Sequence, residues 1–86
     1  MKIRLHKNFE KQYKKLKVSE QKKTQEKLAI FLNNPFNSLL NNHPLKGKYL
    51  DYRSINITGD LRAIYKAYGE NEYLFVTVDS HSNLYF

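Results

Sequence analysis

The second half of the chain alternates apolar and polar residues in three runs separated by short turn sequences. The runs cover residues 51–58, 61–68 and 73–79. Alternation with a period of two is typical of half-buried strands, and Thr58-Gly59-Asp60 is typical of a tight hairpin turn. Consecutive hairpins predict an antiparallel meander, so this pattern restricts the chain to folds built on an antiparallel sheet.

The N-terminal half predicts one more strand and two helices. Residues 1–5 alternate as a short strand, Asn8 is the predicted N-cap of a first helix, and Ser19 is the predicted N-cap of a second helix that runs to about Asn33. Apolar residues recur every three or four positions in both helices, at Phe9, Tyr13 and Leu16 and at Thr24, Leu28, Phe31 and Leu32. The two helices therefore predict a helical hairpin packed on one face of the sheet, an α+β fold whose other face is open to a ligand.

Length and composition limit the class of protein. The 86 residues fit one domain spanning residues 1–86, and the 41% hydrophobic content is that of a folded protein. No apolar run approaches the roughly 20 residues of a membrane span, and no signal peptide is expected. The sequence has no cysteine, which excludes disulfides and thiolate metal sites and is typical of the reducing cytoplasm. We therefore expect a cytoplasmic protein without a membrane association.

The positive charge is concentrated at one end of the chain. The net charge is +7, and residues 1–34 account for all of it with ten Lys and Arg against three Glu. Residues 35–86 carry five basic and five acidic residues and are neutral. This distribution predicts a basic helical surface that contacts a polyanion, and its central members are Lys14, Lys15, Lys22 and Lys23.

The polar residues of the neutral part suggest acid–base chemistry without a metal. His43, Lys46 and Lys48 share one loop with a proline and a glycine, and His81 follows the last predicted strand. No pair of histidines has the spacing of a metal site, and no segment predicts the turn that presents a catalytic serine. Histidines and arginines do supply what RNA cleavage needs, namely a base for the 2′-OH, cations for the phosphorane and an acid for the leaving oxygen.

Three motifs in this order resemble the RelE/ParE toxin superfamily, and most closely its YafQ branch of mRNA interferases. They are His43-Pro44-Leu45-Lys46-Gly47, the run from Gly59-Asp60-Leu61-Arg62 to Lys66, and Ser80-His81-Ser82-Asn83-Leu84-Tyr85. The similarity covers nearly the whole chain. It implies a RelE-like fold and a ribosome-dependent endoribonuclease without a cofactor, which inhibits translation and is neutralised by a cognate antitoxin.

The same resemblance implies roles for single residues. His81 corresponds to a catalytic acid, His43 to a base or charge stabiliser, and Arg62 to a phosphate contact. Asp60 matches the aspartate that follows the first hairpin turn in that branch, and Tyr85 matches the terminal aromatic residue that helps to place the nucleotide. Further RNA contacts are expected from Lys46, Lys48, Arg53, Asn56, Lys14, Lys15, Lys22 and Lys23.

Three positions depart from the YafQ pattern. Asn56 stands where that branch usually has a further histidine, Leu61 where it has tryptophan, and Asp79 where it has glycine. An amide can donate a hydrogen bond but cannot carry a proton at pH 7, so proton transfer rests on His43 and His81. Two alternatives stay open: a ParE-like toxin that inhibits DNA gyrase by contact, and a catalytically inert protein that binds nucleic acid and antitoxin.

Overall fold

The computed structural model describes residues 1–84, and the predicted role of Tyr85 lies outside these residues. Within them the chain forms strands and helices in the order β1 (Lys2–Leu5), α1 (Lys7–Lys14), α2 (Val18–Asn33), β2 (His43–Pro44), β3 (Arg53–Asn56), β4 (Leu61–Ala67), β5 (Glu72–Ser80) and α3 (His81–Leu84). Short 3₁₀ turns precede and follow β2. The strand at the N-terminus, the helical pair and the three strands of the second half were all predicted from the sequence, and they are confirmed.

The sheet has the spatial order β1-β5-β4-β3-β2 among the described residues. β3, β4 and β5 form the predicted antiparallel meander, and the two-residue β2 extends it at one edge. β1 lies at the other edge and runs parallel to β5, so the sheet is mixed. The parallel pairing is possible because the helices, which lie between β1 and the meander in the chain, carry the backbone back across the sheet.

The helical hairpin covers one face of the sheet, as predicted. Phe9 of α1 and Phe31 of α2 are buried against a layer of strand residues that consists of Ile55, Ile57, Leu61, Ala63, Tyr65, Phe75 and Val78. Leu32 was expected in this core but is 47% exposed. Phe31 occupies the centre of the apolar stripe, and the next residue along a helix is rotated by about 100° away from it.

Both predicted N-caps are wrong by two residues. The first helix is capped by His6, whose Nδ1 accepts a hydrogen bond from the Asn8 backbone at 3.0 Å. The second is capped by Lys17, whose backbone N–H donates to the Glu20 carboxylate at 3.0 Å. A glutamate at the third helical position satisfies the N–H of the cap residue, and this bond places the helix start before Ser19.

β1 pairs with β5 only as far as Phe75. Beyond that residue, two side chains of α1 bond to the backbone of β5 instead. Asn8 Nδ2 donates to the Val76 carbonyl at 3.2 Å, and Gln12 Oε1 accepts from the Val78 N–H at 3.2 Å. Gln12 Oε1 also accepts from the Thr77 hydroxyl. The pairing of β4 with β5 shifts by one residue at this place, which leaves Val76 as a bulge. The amides thus satisfy backbone groups that a strand edge would otherwise leave unpaired.

Replacing Gln12 with alanine is therefore expected to lower the free energy of unfolding by about 1–3 kcal/mol. The Val78 N–H would lose the acceptor Gln12 Oε1 at a partly buried position, where an unpaired donor is costly. Urea denaturation followed by circular dichroism measures the change. Gln25→Ala is the matched control, since the Gln25 side chain donates to the Tyr13 hydroxyl and to no backbone group among residues 1–84, and it is expected to stay within about 0.5 kcal/mol. Equal losses in both variants would contradict this role of Gln12.

Candidate active site

Two of the predicted catalytic residues, His43 and Arg62, lie on the face of the sheet that is turned away from Phe31, which we call the outer face. Directly paired residues of neighbouring strands share a face, and adjacent residues of one strand point to opposite faces. Ile55, Ala63 and Val78 pair on the core side, so their neighbours in the strands lie on the outer face. Two rows result, formed by His43, Ser54, Ile64 and Thr77 and by Asn56, Arg62 and Asp79.

His81 is held against the turn between β3 and β4. Its backbone N–H donates to the Asp60 carbonyl at 2.8 Å, so the first residue of α3 is docked on the Gly-Asp turn. Ser80 caps this short helix by accepting from the Asn83 N–H at 3.2 Å. Asp79 Oδ1 accepts from the Ser80 N–H at 2.8 Å and from Asn83 Nδ2 at 3.0 Å. The aspartate that departs from the YafQ pattern thus stabilises the turn that presents His81.

Arg62 closes the same hairpin turn. Its Nη1 donates to the Thr58 carbonyl at 2.9 Å and to the Gly59 carbonyl at 3.1 Å. Within residues 1–84 the guanidinium takes part in no ion pair, and neither does the carboxylate of Asp60. Arg62 is half-buried, lies opposite Asn56 and keeps further N–H groups for an anion. A positive charge fixed at this turn is suited to contact a phosphate.

His43 enters the outer face from β2. Pro44 holds the segment extended, and His43 pairs with Ser54 of β3. Its Nδ1 donates to the Asn41 carbonyl at 2.8 Å, which leaves Nε2 as the nitrogen that can exchange a proton. Ser54 is two residues from Asn56, or about 7 Å along the strand. Asn56 therefore lies diagonally next to His43 and directly opposite Arg62 on one face, and the catalytic roles of His43 and Arg62 stay predictions.

Arg53 lies on the other face of β3. It pairs with the core residue Tyr65, its Nε donates to Asn42 Oδ1 at 2.7 Å, and its guanidinium carbon lies 5.2 Å from the centre of the Phe36 ring. The structure therefore does not bring Arg53 together with His43 and Arg62. Its predicted contact with RNA stays a prediction, and its observed contacts tie the loop before β2 to the sheet.

The predicted basic contacts lie on several parts of the surface. The exposed lysines Lys46 and Lys48 flank Gly47, and Lys48 Nζ lies 5.2 Å from the centre of the Tyr49 ring. Lys23 and Lys27 of α2 line a cleft of about 420 Å³ with Asn56 and Gly59, so α2 contributes charge beside the hairpin turn. The other predicted helical contacts, Lys14, Lys15 and Lys22, are exposed on the helical side of the molecule.

A groove of about 550 Å³ lies on the outer face and includes Thr77 and Asp79 of β5. Tyr49 and Tyr52 line one part of it, with ring centres 6.1 Å apart, and Lys66 Nζ lies 5.5 Å from the centre of the Tyr52 ring. The rest is lined by the apolar residues Leu74, Val76 and Leu84 and by polar side chains, among them Asp79 and Asn83 close to His81 in the chain. Neither tyrosine was predicted from the sequence as a site residue, although their position just after the His-Pro-Leu motif was a usable signal.

Two polar atoms of the outer face are buried without a hydrogen-bond partner among residues 1–84, Ser54 Oγ and Asn56 Oδ1. Asn56 stands where the YafQ pattern has a histidine. Its amide oxygen accepts no hydrogen bond from residues 1–84, although Arg62 lies directly opposite on β4. Within the described residues no group of three or more acidic, histidine or cysteine side chains is arranged to hold a metal ion. No helix in this part of the chain is long and apolar enough to cross a membrane.

A family model describing the YafQ bacterial toxin of type II toxin-antitoxin systems matches residues 1–86. The chain belongs to the YafQ toxin family. The resemblance seen in the three sequence motifs is thereby confirmed, and this YafQ-family protein is a toxin of a type II toxin-antitoxin system.

Solved structures confirm the RelE-like fold of this YafQ-family chain. YafQ from E. coli strain BL21(DE3) superposes with a TM-score of 0.77 at 21% identity, covering 98% of this chain and 97% of the other. A YoeB/ParE toxin from Agrobacterium tumefaciens gives 0.79 at 22% identity, with 94% and 99% covered. The E. coli DinJ-YafQ complex gives 0.70 at 24% identity, with 98% and 97% covered. The comparison with curated protein sequences gave no significant match.

Proposed function

We propose that this toxin is an endoribonuclease that cuts mRNA on the ribosome without a metal ion and so stops translation. One observation carries the proposal: the turn that holds His81 is bonded to Asp60 beside Arg62, on the face that His43 enters from β2. Two histidines and a cation fixed at the hairpin turn can supply the base, the acid and the charge stabilisation of RNA cleavage.

The proposed reaction is a transfer within the RNA. His43, neutral at Nε2, accepts the proton of the ribose 2′-OH while O2′ forms a bond to phosphorus. The bond from phosphorus to O5′ breaks, and protonated His81 donates a proton to O5′. The products are a 2′,3′-cyclic phosphate and a 5′-OH, so no water or cofactor is consumed. Arg62, held at the hairpin turn by the Thr58 and Gly59 carbonyls, stabilises the negative charge that develops on the phosphorane. Asp60 contributes through its backbone carbonyl, which positions His81.

The groove of the outer face is proposed to receive the mRNA beside the scissile phosphate. Aromatic rings stack on unpaired bases, and each stacked base contributes about 1–3 kcal/mol of binding free energy. Tyr49 and Tyr52 supply such rings in the described part of the chain, and Lys46, Lys48 and Lys66 supply charge nearby. Stacking by Tyr85 remains part of the proposal from the family resemblance.

The partners follow from charge and from family membership. The E. coli YafQ has been solved in complex with DinJ, and we propose that a cognate antitoxin likewise neutralises this toxin by covering its outer face. Ribosomal RNA is proposed to contact the helical lysines Lys14, Lys15, Lys22 and Lys23. Arg53, beside the loop before β2, is proposed as a further contact. Such contacts release counterions, so binding should weaken as the salt concentration rises. The proposed site of action is the cytoplasm.

Expression in a bacterial host tests the proposal. The wild-type toxin is expected to arrest growth, and the double variant His43→Ala/His81→Ala is expected to be harmless at equal protein level. Toxicity that survives the loss of both histidines would contradict the enzyme and favour inhibition by contact alone.

Restoring the histidine of the YafQ pattern should strengthen cleavage. Asn56→His places a group that can carry a proton opposite Arg62, where Asn56 Oδ1 has no partner among residues 1–84. We expect the cleavage rate at neutral pH to rise by about tenfold or more, since a positioned general acid or base contributes about 10²–10⁴-fold. The rate of cutting of ribosome-bound mRNA measures it, with Asn56→Gln as the control that cannot titrate. An equal rate in both variants would exclude proton transfer at this position.

A further inference from the structure

One asparagine side chain ties the loop before β2 to the sheet. Asn42 Nδ2 donates to the Tyr65 hydroxyl at 2.6 Å and to the Pro35 carbonyl at 2.9 Å. Asn42 Oδ1 accepts from Arg53 Nε at 2.7 Å. Both amide N–H groups and the amide oxygen are therefore used, and an amide with all these bonds has a single orientation.

The partners of Asn42 are themselves fixed. Tyr65 is 2% exposed, and its ring packs against Phe31 and Phe75 with centre-to-centre distances of 4.9 and 5.0 Å. Burial raises the pKa of the Tyr65 hydroxyl and the hydrogen bond from Asn42 opposes this shift, so the hydroxyl is neutral at physiological pH. The guanidinium of Arg53 lies against the Phe36 ring. The amide is thus anchored in the core and at the base of β3.

Asn41, the residue before Asn42, determines which nitrogen of the His43 imidazole carries the proton. Asn41 has the left-handed conformation, with φ of 45° and ψ of 50°, and asparagine is one of the few residues that adopt it readily. Its carbonyl accepts from His43 Nδ1 at 2.8 Å. Because the carbonyl can only accept, the proton of the neutral ring lies on Nδ1, and Nε2 carries the lone pair that can take a proton.

We infer that Asn42 is a positioning residue, which holds residues 41–43 so that His43 keeps its proton on Nδ1 and offers Nε2 as the base. The amide does not touch the reacting atoms and acts only through its neighbours in the chain. The consequence for cleavage rests on the proposed function, whereas the consequence for the imidazole does not depend on it.

Nitrogen-15 NMR of the His43 ring in the full-length toxin tests the inference directly. The neutral ring of the wild type is expected to show a protonated Nδ1 and an unprotonated Nε2. Asn42→Asp keeps the acceptor for Arg53 but loses both donors, so the two ring nitrogens should become a mixture of tautomers. The kcat for ribosome-bound mRNA should fall by up to about 100-fold, as expected when a reacting group is misplaced by about 1 Å. KM should change by less than about threefold, because this misplacement spares ground-state binding.

Asn37→Ala is the matched control in the same loop. Asn37 Oδ1 accepts from the Leu39 N–H at 2.9 Å, so its loss removes a local hydrogen bond that does not involve His43. The control should keep the wild-type nitrogen signals. If Asn42→Asp fails to fold, Tyr65→Phe is measured in its place, because it removes only the hydroxyl that accepts a hydrogen bond from Asn42. The nitrogen signals of His43 in that variant then test the positioning role.

The outcomes separate the inference from the proposed function. Unchanged His43 signals in folded Asn42→Asp or Tyr65→Phe would overturn the positioning role, and so would an equal change in Asn37→Ala. A tautomer mixture confined to the Asn42 and Tyr65 variants supports the role. If such a mixture is found while the wild type cuts no mRNA, positioning stands and the proposed function fails.

Discussion

Replacing His81 with alanine is expected to lower the rate of mRNA cleavage by about 10²–10⁴-fold, the contribution of a positioned general acid. The imidazole would be lost while the turn survives, because the bond to Asp60 is made by the His81 backbone N–H. The cap formed by Ser80 and the contacts of Asp79 involve no atom of the imidazole. Single-turnover cutting of ribosome-bound mRNA measures the rate, and circular dichroism verifies the fold.

Ser82→Ala is the control for this variant. Ser82 is the next residue of α3 and is exposed, and its hydroxyl lies 3.3 Å from Ser80 Oγ without being needed for the bond from Asn83 to Ser80. The control should cut at nearly the wild-type rate. A His81→Ala variant that cuts as fast as Ser82→Ala would remove His81 from the mechanism and leave His43 and Arg62 as its remaining groups.

Replacing Phe31 with alanine is expected to lower the free energy of unfolding by about 3–5 kcal/mol. The ring is fully buried, and its centre lies 4.9 Å from that of Tyr65 and 5.2 Å from those of Tyr73 and Phe75. Its removal leaves a cavity between α2 and the sheet. Domains of this kind are stable by only about 5–15 kcal/mol, so the variant should unfold at a much lower urea concentration.

The same substitution at Phe36 is the matched control. Phe36 is 65% exposed, and its contact is the guanidinium of Arg53 at 5.2 Å. An exposed cation–π contact contributes about 0.5–1 kcal/mol, so the loss should be of that size. Comparable unfolding free energies for the Phe31 and Phe36 variants would contradict a core centred on Phe31.

The antiparallel part of the sheet was predictable because its core face follows a period of two, although Ser54 and Ile64 on the outer face are buried as well. In β3 and β4, Ile55 and Ala63 alternate with polar or outward residues, and a register shift by one residue would bury Asn56 and Arg62 in the core. The parallel pairing of β1 with β5 was not predictable in this way. It joins residues about seventy positions apart, and nothing in the local pattern of residues 1–5 specifies the partner.

The candidate site was predictable only in part, for a similar reason. His43 and His81 lie in motifs whose spacing is local, whereas the face that Arg53 occupies depends on its pairing with Tyr65. The capping of β5 by Gln12 depends on where β1 ends, which no local pattern encodes. Tyr49 and Tyr52 join the groove through the tertiary fold, and their position just after the His-Pro-Leu motif was the local signal for them.

The most direct test of the proposed function is primer extension on mRNA in a reconstituted translation system with and without ribosomes. Ribosome-dependent cleavage predicts cuts in register with codons, with 2′,3′-cyclic phosphate ends, that appear only when ribosomes are present and disappear in His43→Ala/His81→Ala. Intact mRNA in the presence of active toxin, together with inhibition of DNA gyrase supercoiling, would contradict ribosome-dependent cleavage and identify a toxin that acts by contact.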